Sequence, residues 1–321
     1  MQDLVTVFGG SGFIGTQIVR ALARQGLRIR VAVRQPHLAH TMRLMGDVGQ
    51  IEVVQANVRN EASVRRALEG AQACVNAVGI LFEAGAQKFK AVHVEGATNI
   101  ARTAKALGVE RLVQISAIGA DADASSDYAR TKAQAEEAVR AAFPEAVIIR
   151  PSVVFGQGDG LFEKFAEMTL VSPALPVIGG ETRFQPIFVG DVARAVATAI
   201  VDPEAAGKTY ELGGSGVFTM REILELVLAE TERRRGLIPL PFGVARIIGG
   251  LCQPLALLTI APPITADQVE LLKQDNVANP ALPGLADLGV TTPVTVEAVL
   301  PTYLYRFRKG GQFADQAITA A

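Results

Sequence analysis

A glycine-rich turn, Gly9-Gly10-Ser11-Gly12-Phe13-Ile14-Gly15, follows directly on the apolar run Leu4-Phe8 and opens a stretch with helical spacing. Gly9 can make the tight turn out of a strand, Gly12 lets backbone approach an anion with no Cβ in the way, and Gly15 lets the helix pack closely on the strand. Amides at a helix N-terminus lack partners within the helix and carry the positive end of its dipole, so they favour an anion. The string alone marks only a turn; its place at a strand-helix junction makes it read as a pyrophosphate cradle.

The rest of the first half fits such a site. Leu4-Phe8, Arg28-Val33, Ile51-Gln55, Ala73-Val78, Arg111-Ser116 and Ala146-Arg150 read as strands whose apolar content is nearly continuous, as in parallel strands covered on both faces. Helical patterns alternate with them: Ile14, Ile18 and Leu22 share one stripe before Gly26, and the helix through Val92 to Leu107 ends at Gly108. The alternation predicts an α/β fold, a doubly wound parallel Rossmann sheet with a smaller C-terminal α/β lobe. After Pro151 the chain leaves the sheet. It is expected to return at Pro186-Val189, followed by a helix from Asp191 to Val201 and a strand at Thr209-Leu212. Thr219-Met220-Arg221-Glu222 has capping-box spacing and opens the second lobe. The expected division is residues 1–155 plus 185–212 for the nucleotide-binding domain, 156–184 plus 213–300 for the lobe, and 301–321 as a C-terminal segment.

Composition removes other classes. Thirty-one basic against 32 acidic residues leave a net charge of -1, so no global field draws the chain to nucleic acid. Cys74 and Cys252 show no metal-ligand spacing and read as reduced core residues. A strand beginning at Leu4 leaves no room for an export signal, and Leu237 to Leu258, the longest apolar stretch, is interrupted by Pro239, Pro241, Arg246 and Pro254. Export and membrane spanning are therefore not expected.

The dinucleotide is read from the end of the second strand. An NAD site places an acid there to accept from the ribose 2′-hydroxyl, whereas this chain has Val33-Arg34-Gln35. A carboxylate would repel a 2′-phosphate; the Arg34 guanidinium can bind it with paired hydrogen bonds and stack on adenine. NADPH or NADP+ is favoured over NAD(H), the bland alternative being a solvated arginine. Tyr128 and Lys132 lie four residues apart on one helical face. A nearby cation stabilises tyrosinate, so Tyr128 can exchange a proton with a substrate oxygen, while Ser116, ending a strand at the carboxyl edge of the sheet, can orient a carbonyl.

In this order the residues resemble the extended or atypical short-chain dehydrogenase/reductases, on the glycine turn, Asn76-Ala77-Val78-Gly79, Ser116, Tyr128/Lys132 and Arg150-Pro151-Ser152-Val153-Val154-Phe155-Gly156. The resemblance implies that Gly9, Ser11, Gly12, Phe13, Ile14 and Gly15 hold the pyrophosphate, Asn57 and Val58 flank adenine, Ala77, Val78 and Gly79 line the ribose side, and Pro151, Val153 and Val154 close around nicotinamide beside Ser116, Tyr128 and Lys132. It implies no metal. His93 departs from it, since many relatives carry Asn there, and the segment between Ser116 and Tyr128 is short. A narrower likeness is to the NAD(P)H-binding accessory subunit family of respiratory complex I, alpha-subcomplex subunit nine. It rests on Phe143-Pro144-Glu145-Ala146, Thr182 to Pro186, Val189 to Val192, Ile264-Thr265-Ala266-Asp267-Gln268-Val269, Gly284 to Gly289 and Pro301 to Arg308.

That likeness implies a structural nucleotide, partners among the other subunits of complex I, and a peripheral place on the cytoplasmic side of a bacterial inner membrane, or the matrix side for a mature organellar chain. The acid/base set is then vestigial. An active NADPH-dependent reductase or epimerase and an NADP(H) redox sensor are the alternatives. The apolar stretch from Leu237 reads either as core of a small lobe or as a contact patch for protein or lipid. Arg306, Arg308 and Lys309 among Tyr303, Tyr305 and Phe307 suit an interface or an anionic headgroup region, or else a solvated helix end.

Overall fold

The computed structural model describes residues 3–253 and 262–313. Six strands, β1 (Leu4–Phe8), β2 (Arg28–Val33), β3 (Ile51–Gln55), β4 (Ala73–Asn76), β5 (Arg111–Ile115) and β6 (Val147–Pro151), alternate with α1 (Phe13–Arg24), α2 (Glu61–Leu68), α3 (Gly96–Ala106) and α4 (Asp127–Ala142). A seventh sheet strand comes much later, at Thr209–Leu212. All pairs are parallel, and the spatial order is Thr209–Leu212, β6, β5, β4, β1, β2, β3. Beyond β1 the chain winds one way through β2 and β3 and the other way through β4 to β6, leaving a crevice at the carboxyl ends of β1, β2 and β4.

Both faces are covered, which explains the continuous apolar strands. Ile18, Val19 and Leu22 of α1 pack with Val192, Val196 and Ile200 on one face; Val64, Leu68, Ile100 and Val139 cover the other. Gly26 and Gly108 have φ of 79° and 72°, the left-handed geometry expected beyond a helix end. β4 stops two residues before the expected Val78 because the Asn76 Oδ1 accepts the Val78 N–H at 3.1 Å and turns the chain. The helix expected from Val92 begins instead with a π-helical turn, Lys90–Glu95, that leads into α3.

Past β6 come β7 (Val154–Phe155), α5 (Phe162–Val171), β8 (Ala174–Val177), β9 (Arg183–Phe184), β10 (Ile187–Phe188), α6 (Val189–Val201), β11 (Thr209–Leu212), β12 (Phe218–Thr219), α7 (Met220–Glu230), β13 (Gly236–Pro239), α8 (Phe242–Cys252) and α9 (Ala266–Leu271). The expected return to the sheet at Pro186-Val189 is corrected: among the described residues β10 pairs with β7 alone, and the chain rejoins the main sheet at β11. The Thr219/Glu222 box forms as expected. A separate apolar cluster joins Phe155, Phe162, Leu175, Phe184, Ile223 and Leu224 to Leu300, Tyr303, Leu304 and Phe307. Within the C-terminal segment Tyr303 and Phe307 are thus core, while Tyr305 and Phe313 are exposed. Its basic half makes ion pairs, Arg306 with Glu163 at 2.6 Å and Arg308 with Glu230 and Glu232 at 3.3 and 3.4 Å.

The stretch from Leu237 behaves differently. α8 buries only Ala245 and Gly249, and leaves Val244, Ile247, Ile248 and Leu251 exposed on one stripe, with Leu251 at 76%. Residues 254 to 258 of that stretch lie outside the described residues. Gly249 seats α8 on the start of α9, since a Cβ there would come within 2.7 Å of the Ala266 nitrogen. Cys74 is buried as expected, but Cys252 is only partly so; both are free thiols. No helix of the described residues is long and apolar enough to cross a membrane.

Candidate functional site

The crevice has two ends of different construction. At the first, Gly9 takes φ 74° and donates its N–H to the Ala32 carbonyl, tying the turn to β2 at 3.1 Å. A Cβ on Gly9 would sit 3.1 Å from the Ala77 carbonyl carbon and oxygen, and one on Gly15 would overlap the Gly9 carbonyl oxygen. The turn is therefore closed to any side chain at these places. α1 has no side-chain cap and no acid in its first turn. Asn60, Ser126 and Thr219 cap α2, α4 and α7, while α3, α5, α6 and α8 share with α1 the lack of a side-chain cap. Ser11 and Gly12 are exposed at this uncapped end, with Phe13 and Ile14 half-buried behind them, the arrangement an anion would complete.

Arg34 stands exposed one residue past β2, and among the described residues its side chain makes no hydrogen bond or ion pair. Asn57 and Val58 follow β3; the Val58 carbonyl accepts from Asn99 Nδ2, and a Cβ on Gly96 would lie 2.8 Å from its side chain. Ala77 and Val78 border Gly9 directly, while Gly79 faces the other end: a Cβ on it would be 3.5 Å from Lys132 Nζ. The crevice thus brings the glycine turn, the segment after β4 and α4 together.

At the second end the side chains are already engaged. Lys132 is buried, donates to the Ile115 carbonyl at 3.3 Å and lies 5.7 Å from the Tyr128 ring centre. Burial pushes its ammonium down to about 8, against the opposing pull of Glu136. Tyr128 packs edge-on against Phe89 and His93, at 6.0 and 5.5 Å between ring centres. Burial, and then the Asp267 carboxylate, push its phenol up to about 12, so it stays protonated at neutral pH. Ser116 donates its hydroxyl hydrogen to Glu136. Glu136 in turn receives Arg150 through Nε at 2.9 Å and Nη2 at 2.6 Å, and Arg150 reaches Glu211 at 3.3 Å. A hydroxyl whose hydrogen is held by a carboxylate can accept from a ligand but not donate to a carbonyl.

Pro151 ends β6, Val153 accepts from Ile187 N–H at 2.9 Å, and Val154 lies in β7. Gly158, at φ 92°, approaches the Phe13 ring. The sequence reading missed the residues that hold this end. Glu136 was within reach, since 128, 132 and 136 are successive i+4 positions of one face. His93 accepts the Ile80 N–H at Nε2 (3.1 Å), so its Nδ1–H donates to Thr131 Oγ1 at 3.1 Å; it keeps the segment after β4 against α4. Asn276 links Ser152, at 2.7 Å, to the Ile118 carbonyl at 3.3 Å. Among the described residues no group of three or more His, Cys, Asp or Glu is placed to hold a metal ion.

This sheet, with its glycine cradle and its Ser, Tyr and Lys at the opposite end, defines a class. Residues 5–213 match the NAD dependent epimerase/dehydratase family, and the chain belongs to it. The UDP-glucose 4-epimerase of Thermus thermophilus, solved with NAD, shares the fold at TM-score 0.66 over 95% of this chain and 98% of that one, with 21% identity. The chain belongs more narrowly with the alpha subcomplex subunit 9 proteins. It is 34% identical over 300 residues to mitochondrial NADH dehydrogenase (ubiquinone) 1 alpha subcomplex subunit 9 of Mus musculus, covering 92% of this chain and 78% of that protein. That coverage takes in most of the chain after residue 213, which the wider family's match leaves out. A ceramide reductase of Caulobacter vibrioides is 34% identical over 196 residues, 60% of this chain and 59% of the reductase.

Proposed function

We propose that the chain is an NADP(H)-binding accessory subunit of respiratory complex I, in which the nucleotide serves assembly or stability. The observation that carries this reading is the contrast within one crevice. The glycine turn and the first turn of α1 offer backbone to an anion with no side-chain cap in the way, whereas the Ser116 hydroxyl hydrogen is committed to Glu136. The first-turn amides of α1 would hold the pyrophosphate and Arg34 the 2′-phosphate. Ala77 to Gly79, Lys132, Pro151, Val153 and Val154 would enclose the nicotinamide half. When bound, that group can give or take a hydride; a structural role draws only on its binding energy, which stabilises the folded chain by mass action.

Residues 156–184 and 213–300 act in this reading as the docking lobe. The exposed stripe of α8, Val244, Ile247, Ile248 and Leu251 with Arg246 beside it, is its contact surface for complex I or the adjoining lipid, on the cytoplasmic side of a bacterial inner membrane. Deletion of Tyr303 to Phe313 is a poor test of docking, because it removes core. The paired substitution Ile247→Asp and Leu251→Asp is the better one. We expect the protein, isolated from membranes in mild detergent, to carry slowly exchanging NADPH and to bring complex I subunits with it. The α8 variant should keep the nucleotide and lose the subunits. A wild type that exchanges NADPH rapidly and co-purifies with no complex I subunit refutes the reading.

The second reading, an NADPH-dependent reductase, draws on Lys132, whose lowered ammonium lies beside Tyr128, and on the reductase relative. Turnover on a carbonyl panel, abolished by Tyr128→Phe, would select it.

A further inference from the structure

The sequence block Ile264 to Val269 lies far from the crevice in the chain but not in space. Asp267 is the second residue of α9, and its carboxylate closes the start of α4, 140 residues before it at Asp127. Oδ1 accepts the Asp127 N–H at 2.6 Å, while Oδ2 accepts the Tyr128 N–H at 3.2 Å and the Ser126 hydroxyl at 2.9 Å. Ser126 Oγ then accepts the Ala129 N–H at 3.3 Å, and the first bond within the helix runs from Arg130 N–H to the Ser126 carbonyl at 3.0 Å. The N–H groups that α4 cannot satisfy internally at its start are thus all taken, two of them by the second lobe. α9 does not need this carboxylate for itself, because Thr265 and Gln268 close its own start with a capping box.

We infer that Asp267 is a positioning residue for the nucleotide site: through this one carboxylate the second lobe fixes the helix that carries Tyr128 and Lys132, so nucleotide affinity and lobe docking form one equilibrium. The inference rests on the nucleotide reading given above. Its geometry extends to α8, since Gly249 packs on the Thr265 and Ala266 backbone next to Asp267. Whatever covers the exposed stripe of α8 is therefore one backbone contact from the cap of α4. Linkage makes the effect reciprocal: bound nucleotide tightens the lobe by the factor with which the seated lobe tightens nucleotide. Asp267 also places a negative charge near the Tyr128 phenol, countering the Lys132 cation, while His93 beside the ring stays neutral.

The test uses the full chain with NADPH as probe, comparing wild type, Asp267→Ala and Asp267→Asn. Hydrogen exchange at the Asp127 and Tyr128 amides and NADPH affinity are measured together. For Asp267→Ala we expect faster exchange at both amides and about a tenfold loss of affinity, in line with losing charge-assisted hydrogen bonds at a helix start. Asp267→Asn keeps an acceptor oxygen, so it should fall between the two and carries the test if the alanine variant does not fold. Ultraviolet titration, taken as the difference from Tyr128→Phe, reads the Asp267 charge together with burial of the ring, and Asp267→Glu separates the two by restoring the charge. In Asp267→Asn the Tyr128 midpoint should fall, because the charge has gone. Unchanged exchange, or faster exchange with unchanged affinity, overturns the inference. A wild type that takes up no NADPH overturns the reading of the site, and the exchange data still decide whether Asp267 holds α4.

Discussion

The two ends of the crevice are built on opposite principles. The glycine end is made of contiguous backbone: seven residues, a left-handed Gly9 and an uncapped helix start, with the exposed Arg34 standing apart from it. The Tyr128 end is made of side chains from α4, the residue after β5, β6, the π-helical turn and the second lobe, each holding another: Ser116 on Glu136, Glu136 on Arg150, His93 on Ile80 and Thr131, Asp267 on α4. One end presents backbone; the other has its side chains bonded to one another. A site preorganised for chemistry keeps donors free for charge that develops during reaction. Here only the glycine end does so.

The sharpest way to break this comparison is to free the second end. Glu136→Ala removes the acceptor that holds Ser116 and leaves Arg150 with Glu211 alone. Breaking a buried pair by deleting one partner costs about 3–5 kcal/mol, and we expect the low end because Arg150 keeps one carboxylate and some solvent. Chemical denaturation should show this loss while NADPH still binds. Carbonyl turnover that appears in the variant and is absent from the wild type would mean that Glu136 had silenced a competent site; a fully stable variant would mean that the network is ornamental.

The opposite end is sharpened by Arg34→Ala. Its guanidinium has no partner among the described residues, so its loss should leave stability within experimental error and act only on ligand. We expect NADPH affinity to fall about tenfold or more, the worth of charge-assisted hydrogen bonds to a phosphate, and NADH affinity to fall much less, by the adenine stacking alone. Equal affinity of the wild type for the two coenzymes, measured by titration calorimetry, would remove the argument for a 2′-phosphate site.

What was legible in the sequence follows the same division. The six strands and the cradle stand nearly where period and glycine spacing put them, because their reasons are local. Asp267 and Asn276 reach across more than 120 residues, and no window along the chain contains both partners. The apolar stripes make the point most plainly. Leu300, Tyr303, Leu304 and Phe307 repeat at i, i+3, i+4 and i+7, and so do Val244, Ile247, Ile248 and Leu251. The first set is buried against α5 and α7; the second faces outward. Period identifies an apolar face and says nothing of what covers it. The π-helical turn at Lys90 and the pairing of the two-residue β10 with β7 likewise depend on neighbours that packing supplies.

The smallest expected effect at neutral pH concerns the charge state of the self-satisfied end. His93 is buried, and burial, with Lys132 beside it, pushes its imidazole down to about 3 from the ordinary 6.5. The native chain therefore holds His93 neutral while the unfolded chain protonates it as pH falls below 6.5, so the unfolded state binds more protons across that window. Stability tied to this group is complete above about pH 6.5 and declines as pH falls toward 3, by about 2 kcal/mol at pH 5. His93→Asn removes the titration, yet an amide can still accept the Ile80 N–H. We expect wild type and variant to differ little at pH 7, and the variant to lose less stability between pH 7 and 5 in urea denaturation. Identical slopes would show that His93 becomes protonated in the native state at ordinary pH, and that the Tyr128 end admits charge more readily than its packing implies.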